Sequence, residues 1–184
     1  MNKKSNKKFS KCPKCDKQVE TLDMAFHIDS HPTEIFEWLY LGNYFNATDI
    51  KVLQSLNIKF ILNCAAECKN IFENEKEYGI EYLALDIKDA TDFEIEQYFE
   101  KGIEFINKAK ANKDKGNLFV HCQLGKSRST SIVMAYLIKE EKYSTDEAYK
   151  FLKKKRKAIM PNLGFMNKLR LFEKSLQVNE HSGE

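Results

Sequence analysis

One cysteine and one arginine are placed where they could act together on a phosphoryl group. Cys122 follows the apolar run 118–120, and Arg128 lies where a helical pattern begins. Ligands of open α/β sheets bind at the carboxyl ends of strands, where a helix N-terminus presents free N–H groups to an anion. An arginine fork can hold two phosphate oxygens, and a cysteine beside a cation at a helix N-terminus favours the thiolate form. The segment therefore predicts attack of a thiolate on phosphorus.

The residues between this cysteine and arginine complete the predicted anion site. Gly125 permits a tight turn, so that the amides of the loop can surround a tetrahedral dianion. We expect attack by Cys122 to give a cysteinyl phosphate, which water then hydrolyses. A buried cysteine followed by an ordinary helix start is the alternative interpretation. The predicted phosphate-binding residues are Gln123, Leu124, Gly125, Lys126, Ser127 and Arg128.

A second group of chemically active side chains lies near the N-terminus, in the pattern C-x(2)-C-x(11)-H-x(3)-H. Two thiolates and two imidazoles suit tetrahedral zinc. We therefore expect a small structural zinc finger that cannot fold without its metal, whereas catalysis at Cys122 needs no cofactor and survives chelation. The predicted zinc ligands are Cys12, Cys15, His27 and His31.

Strand-like and helix-like patterns alternate along the rest of the chain. Patterns typical of strands occupy residues 38–41, 60–62, 82–85 and 118–120. Helical spacing occupies residues 49–56, 93–111, 129–142, 145–157 and 162–176. This alternation predicts an α/β fold with a central, mostly parallel sheet flanked by helices.

Composition and charge exclude several classes of protein. The chain has 184 residues, of which 42% are hydrophobic and 12% aromatic, so a disordered chain is excluded. Its 30 basic and 27 acidic residues give no overall attraction to nucleic acid or membranes, and neither is expected as a partner. No stretch approaches the ~20 apolar residues of a membrane helix. We expect a cytoplasmic and/or nuclear protein whose cysteines stay reduced.

The chain divides into four predicted parts: a basic tail at 1–11, a zinc finger at 12–33, a catalytic domain at 34–178 and a polar tail at 179–184. We interpret the lysine-rich segment 150–157 as solvated charge, although it leaves a phosphoinositide ligand open. Cys64 and Cys68 could form a reversible disulfide with Cys122. The position of Cys64 after a buried strand is, however, typical of a packed apolar thiol.

Segment His121–Ser129 resembles the H-C-x(5)-R-S signature of the dual-specificity protein phosphatases. The likeness spans about residues 35–176 and includes four more segments in the family's order, Leu39–Asn43, Leu62–Glu67, Ala135–Leu137 and Pro161–Phe165. The resemblance implies the cysteine-phosphatase fold. It also implies hydrolysis of phosphotyrosine and phosphoserine/threonine in proteins through a cysteinyl-phosphate intermediate.

The resemblance implies a general acid as well. Asp89, followed by Tyr98-Phe99, has the spacing of the family aspartate that protonates the leaving oxygen and then activates water. Asp92 is the nearest rival and could instead be a helix N-cap, and Asp86 is a weaker one.

Three further residues match family positions. Ser129 matches the hydroxyl that hydrogen-bonds the leaving thiolate, and His121 matches the residue that orders the loop. Asn162 is expected to hold neighbouring backbone. The family's shallow pocket implies phosphorylated proteins as partners. A phosphoinositide phosphatase, or a phosphoprotein- or ubiquitin-binding adaptor with little catalysis, remains the alternative.

The charge of the N-terminal module argues against DNA binding, because no Lys or Arg lies between Gln18 and Ile50. Residues 22–31 instead resemble the ubiquitin-binding zinc finger of Y-family DNA polymerases. Asp29 matches the aspartate that contacts ubiquitin in that family. The resemblance implies ubiquitin as a partner, with Asp29, Ile28 and Ala25 on an open face of the helix. A purely structural finger is the alternative.

Overall fold

Two sheets organise the part of the chain that the structure describes. The structure is a computed structural model that describes residues 8–181, except for the side chains of 25–26 and 179–181. Most of the predicted basic and polar tails therefore lies outside the described residues. The smaller sheet has two strands and the larger has five.

The smaller sheet belongs to the N-terminal module. Strand β1 (Phe9–Lys11) pairs antiparallel with β2 (Gln18–Glu20), and a single 3-10 turn at Thr21–Asp23 leads into helix α1 (Met24–Asp29). The first strand includes residues that the sequence assigned to the basic tail. We call residues 9–31 the finger, because this hairpin and helix hold the four predicted zinc ligands.

The larger sheet has the strand order β3-β4-β7-β5-β6. Its strands are β3 (Thr33–Phe36), β4 (Leu39–Asn43), β5 (Ile58–Asn63), β6 (Glu81–Ala84) and β7 (Asn117–Cys122). The pairs β4·β7, β7·β5 and β5·β6 are parallel, and only the edge pair β3·β4 is antiparallel. The predicted fold class, a mostly parallel sheet flanked by helices, is therefore confirmed.

Helices cover both faces of this sheet. They are α2 (Tyr44–Ala47), α3 (Ile50–Ser55), α4 (Phe99–Ala111), α5 (Arg128–Lys139), α6 (Thr145–Lys155) and α7 (Leu163–His181). The helix predicted from residue 93 begins later, because a 3-10 turn at Ile95–Tyr98 precedes α4. Among the described residues, no helix combines the length and apolar character that crossing a membrane requires.

The central strand β7 explains how the site is positioned. Leu118 and Val120 pack in the core formed with α4 and α5, while Phe119 packs on the opposite face with α2 and α3. Alternate side chains of a strand point to opposite faces, and a strand covered on both faces is apolar throughout. Cys122 therefore ends the strand on the α4–α5 face. Helix α5 then starts at Arg128 and is buried from Arg128 to Ile138.

Candidate active site and metal centre

The loop at residues 122–128 connects β7 to α5 and is held by hydrogen bonds from several directions. Gly125 has φ +65°, and a Cβ there would lie 2.3 Å from the carbonyl oxygen of Gly42. The Nε atom of Arg156 donates to Gly125 O at 3.1 Å, and Met160 N donates to Lys126 O at 2.8 Å. The loop is therefore fixed in shape before any ligand arrives, and the sequence did not predict the contribution of Arg156.

Cys122 lies at the bottom of this loop, 1% exposed, at the N-terminal end of α5. Ser129 Oγ donates a hydrogen bond to Cys122 Sγ over 3.2 Å. The predicted contact between this hydroxyl and the thiol is present. A sulfur anion at this position has both a hydroxyl donor and the positive end of a helix dipole beside it.

Arg128 is nearly fully buried and is aligned by an acidic partner. Its Nη1 atom lies 2.7 Å from Glu67 Oε2 and 3.3 Å from the carbonyl oxygen of Ile87. Burial lowers the pKa of Arg128, but the contact with Glu67 outweighs it, so that the net pKa is raised. Burial raises the pKa of Glu67, but the arginine lowers it further, and the pair stays charged. Sequence reasoning did not single out Glu67 as this partner.

Asp89 is the aspartate that meets the 122–128 loop. Its Oδ1 atom accepts hydrogen bonds from Ser127 Oγ at 2.8 Å and from Asn162 Nδ2 at 2.9 Å. Its Oδ2 atom lies 3.8 Å from Arg128 Nε. Within the described residues, neither Asp86 nor Asp92 hydrogen-bonds to this loop. The N-cap position of the 3-10 turn that follows is Glu94 rather than Asp92, and no side chain caps that turn.

The side chain of Asn162 fixes both the Asp89 carboxylate and the backbone that follows Asn162. Besides contacting Asp89, its Oδ1 atom accepts a hydrogen bond from the amide of Phe165 at 2.9 Å. Its own amide donates to Ser127 Oγ at 3.2 Å. The structure thus includes the predicted contact with neighbouring backbone and adds a link to Asp89.

His121 lies beneath the loop as a neutral ring. It is 1% exposed and stacks near Phe119 and Tyr44, with ring centroids 5.8 Å and 6.2 Å away. Burial lowers the pKa of His121 to about 4. This side chain therefore supports the loop from the opposite face of the sheet, as a packed aromatic group.

The remaining cysteines near the site are free thiols. Burial raises the pKa of Cys64, and it raises the pKa of Cys68 to about 11. Cys68 Sγ donates to the side-chain oxygen of Gln123 at 3.0 Å. Both environments favour the neutral thiol, which fits the predicted packing role of Cys64.

Four side chains of the finger form the candidate metal centre. Cys12, Cys15, His27 and His31 place one ligand atom each within 4.8 Å of all the others. The distance from Cys12 Sγ to His31 Nε2 is 3.7 Å, that from Cys15 Sγ to His27 Nε2 is 3.2 Å, and the two Nε2 atoms are 3.3 Å apart. Tetrahedral zinc with its usual bond lengths separates such ligands by roughly 3.3–3.8 Å. The residues therefore fit zinc.

The predicted ubiquitin-contact residues lie differently from expectation. Ile28 and Asp29 are half-buried, and Asp29 lines a cleft against the 122–128 loop. The described side chains of the predicted open face are thus only partly exposed. The side chain of Ala25 lies outside the described residues.

Together, a buried thiol with a hydroxyl donor and a fixed arginine on one loop, and a carboxylate that contacts this loop, can transfer a phosphoryl group. That arrangement is typical of the cysteine-dependent phosphatases. The sequence profile described as dual specificity phosphatase, catalytic domain, matches residues 39–175 of this chain. The chain therefore belongs to the dual specificity phosphatase family.

Individual relatives agree with this assignment. Dual specificity protein phosphatase 1 of Homo sapiens is 36% identical over 153 residues, which cover 83% of this chain and 40% of that protein. Dual specificity protein phosphatase 1-A of Xenopus laevis gives the same 36% identity and coverage. This chain thus spans about 40% of the length of these relatives.

Solved structures show the same fold. The crystal structure of DUSP15 has a TM-score of 0.72 and 28% identity, covering 83% of this chain and 94% of that chain. The Yvh1 phosphatase domain from Chaetomium thermophilum has a TM-score of 0.69 and 26% identity, covering 78% and 94% of the two chains.

Proposed function

We propose that this chain hydrolyses phosphotyrosine and phosphoserine/threonine in proteins, with Cys122 as the nucleophile. The observation that carries the proposal is the convergence of Cys122 Sγ, Arg128 and Asp89 on one preorganised loop. Family membership supports it, since the relatives are named dual specificity protein phosphatases.

In the first step, the thiolate of Cys122 attacks phosphorus, and the bond from phosphorus to the leaving oxygen breaks. Asp89 gives its proton to that oxygen. Because Oδ1 already accepts two hydrogen bonds, the transferred proton sits on Oδ2. Arg128 Nε, which has no hydrogen-bond partner among the described residues, is available to an equatorial phosphate oxygen.

In the second step, water attacks the cysteinyl phosphate and the bond from sulfur to phosphorus breaks. Asp89, now a carboxylate, takes the proton of the attacking water. The electron pair of the broken bond returns to Cys122 Sγ, where the hydroxyl of Ser129 stabilises the thiolate. Inorganic phosphate leaves the loop, and the enzyme returns to its starting state.

Phosphate release from a phosphotyrosine peptide and a phosphothreonine peptide tests this proposal. We expect turnover of both by the wild type and none by Cys122→Ser, which should still bind the peptides. Cys64→Ala, which removes a neighbouring buried thiol, is the matched control and should retain activity. Appreciable turnover by Cys122→Ser contradicts the mechanism. Phosphopeptide binding without wild-type turnover supports the adaptor alternative.

The contacts of Arg156 withdraw one cation of the basic segment 150–157 from any phosphoinositide, although the exposed lysines of that segment remain. This member of the basic cluster is 1% exposed and is engaged with the 122–128 loop and with the finger. It is therefore not a free cation for a lipid headgroup. We infer that proteins are the substrates. Parallel assays with a phosphoinositide test the choice, and faster release from the lipid would reverse it.

The finger is proposed to hold one structural zinc ion. The four ligand atoms fit it, and the amide of Lys14 lies 3.4 Å from Cys12 Sγ, where it stabilises a thiolate. Elemental analysis of purified protein is expected to give one zinc per chain and less than half of that for Cys15→Ser. Equal zinc contents in the two proteins would exclude this site.

Ubiquitin binding by Asp29 stays a prediction that rests on the likeness of one short segment. Titration of labelled ubiquitin with the whole protein, followed by NMR, tests it. Shift changes that Asp29→Ala abolishes would support it.

A further inference from the structure

A cleft of about 370 Å³ separates the finger from the 122–128 loop. Asp29 and Ser30 form its finger side, and Phe45 of α2 stands on the wall between the two parts. Leu124 and Lys126 belong to the loop itself. We call this space the finger cleft. None of the steps proposed above uses it.

The finger cleft adjoins the loop at residues 122–128. Gln123 and Leu124 line the cleft and follow Cys122 directly in the chain. An extended peptide advances roughly 3.3–3.6 Å per residue. When a phosphorylated residue sits over Cys122, residues one to three positions away therefore reach the cleft.

The walls of the finger cleft are largely apolar where they are open. Phe45 is 72% exposed and Leu124 is 59% exposed, and both line the same space. Covering such side chains with another apolar group removes apolar area from water and stabilises the complex. A single exposed apolar residue is ordinary, but two across one concave surface beside a catalytic loop form a binding surface.

The charged groups around the finger cleft give it no strong net charge, so it does not favour a strongly charged ligand. Arg156 turns inward, since its Nη1 atom donates to His31 O at 3.0 Å and to Thr33 Oγ1 at 3.1 Å. Asp29 and Lys126 remain, one of each sign, and each has a polar head with access to water. The backbone of a peptide can meet such rim groups while an apolar side chain fills the centre.

We propose that the finger cleft is a substrate subsite, which takes an apolar side chain one to three residues from the phosphorylated residue. The inference rests on the proposed phosphatase function, and it gives the finger a role in substrate selection. The finger supplies one wall of this subsite, and α2 and the catalytic loop supply the others.

Matched phosphotyrosine peptides test the subsite. Each carries leucine or serine at one position from three residues before to three residues after the phosphotyrosine. The measured quantity is kcat/KM for the wild type, Phe45→Ala and Leu171→Ala. Leu171 is also an exposed apolar residue, 60% exposed on α7, and is the matched control.

We expect the wild type to prefer leucine at one position by on the order of tenfold, as apolar pockets commonly discriminate. Phe45→Ala should lose most of that preference, and Leu171→Ala should retain it. Turnover of an aryl phosphate, which is too small to reach the cleft, should stay the same in both variants. Thermal melting checks that each variant is folded.

Two results would overturn the subsite. One is a wild type without leucine preference at any position. The other is a preference that survives Phe45→Ala or falls equally in Leu171→Ala. Failure of the proposed function is distinguishable, because the wild type would then not turn over the aryl phosphate either.

Discussion

The two carboxylate oxygens of Asp89 have different surroundings, and in the proposed mechanism the proton that Asp89 transfers lies on Oδ2. Oδ1 is fixed by Ser127 and Asn162, whereas Oδ2 faces Arg128 at 3.8 Å. We predict that Asp89→Asn lowers kcat for phosphotyrosine peptides by a factor on the order of 10²–10⁴. The loss should be smaller for aryl phosphates whose leaving group needs no proton.

Asp92→Asn is the control for this prediction, because it makes the same chemical change three residues away. Steady-state kinetics of both variants should show a near-normal kcat for Asp92→Asn. A larger defect in Asp92→Asn than in Asp89→Asn would show that the general acid is Asp92 and that its assignment to Asp89 is wrong.

His121 links the stability of the protein to pH. Its pKa is about 4 in the folded protein, because burial disfavours the cation, against roughly 6.5 in an unfolded chain. Between these values the unfolded chain binds the proton, so the stabilisation is complete above pH 6.5 and is lost as the pH falls toward 4. We predict that this residue lowers the free energy of unfolding by about 2 kcal/mol between pH 7 and pH 5.

Urea denaturation at these two pH values, for wild type and His121→Asn, isolates this contribution from that of the finger histidines. The variant should lose less stability on acidification than the wild type. An identical loss in both proteins would show that His121 is not a buried neutral ring.

For single residues, the sequence predicted the members of short motifs but not the distant residues that contact them. Cys122, Arg128 and the four metal ligands stand at spacings that the chemistry itself requires, so the sequence could predict where they lie. Glu67 and Arg156 contact the site from 61 and 31 residues away along the chain. Such partners follow from the three-dimensional packing, and no local pattern indicates them.

Among the elements, the turn at Gly125 requires glycine both for its backbone conformation and for the close approach of Gly42. Alanine there would need a left-handed φ of +65° and would bring its Cβ to 2.3 Å from the carbonyl oxygen of Gly42. We predict that Gly125→Ala distorts the loop and reduces aryl phosphate turnover by at least tenfold. Steady-state kinetics and thermal melting measure the two effects.

Gly79→Ala separates the steric clash from the cost of the backbone conformation. Gly79 has φ +56°, but its added Cβ would meet only the end of Lys59, 3.9 Å away. We expect a destabilisation of about 1 kcal/mol and unchanged turnover. Equal losses of activity in Gly125→Ala and Gly79→Ala would mean that the clash with Gly42 O is not the cause of the loss.

The strongly patterned elements were predictable, and two short elements without such a pattern were not. Strands β4 to β7 coincide with apolar runs, and α3 and α5 to α7 coincide with helical spacing. Strand β3 and helix α2 have four residues each, as β6 does, but neither carries an apolar run like that of β6. The start of α4 was misplaced because residues 93–98 have helical apolar spacing but form turns.

For the whole molecule, metal removal should separate catalysis from substrate selection. The loop stays anchored without the finger, because Arg156 also bonds Gly125 O and Thr33 Oγ1 inside the catalytic domain. We predict that chelation leaves aryl phosphate turnover within about twofold of its starting value. It should lower the melting temperature and remove the preference for apolar peptides, since Asp29 and Ser30 no longer form one wall of the finger cleft.

Calorimetry and peptide kinetics before and after chelation measure both effects, and Cys15→Ser is a control that lacks a metal ligand. Loss of aryl phosphate turnover on chelation would instead show that the metal-bound finger is needed to hold the 122–128 loop in shape. The sequence predicted a finger beside a catalytic domain, but the position of one against the other depends on contacts that no spacing reveals.

The hydrogen bonds that join the catalytic domain to the end of the finger, in the described part of the chain, go to main-chain oxygens. Asn46 Nδ2 donates to Ser30 O at 2.9 Å, Asn43 Nδ2 donates to the same oxygen at 3.3 Å, and Arg156 donates to His31 O. These bonds depend on the path of the main chain and do not depend on which side chains stand at Ser30 and His31. Evolution, or a protein engineer, could therefore exchange the finger for another module with the same exit path and obtain a phosphatase of altered selectivity.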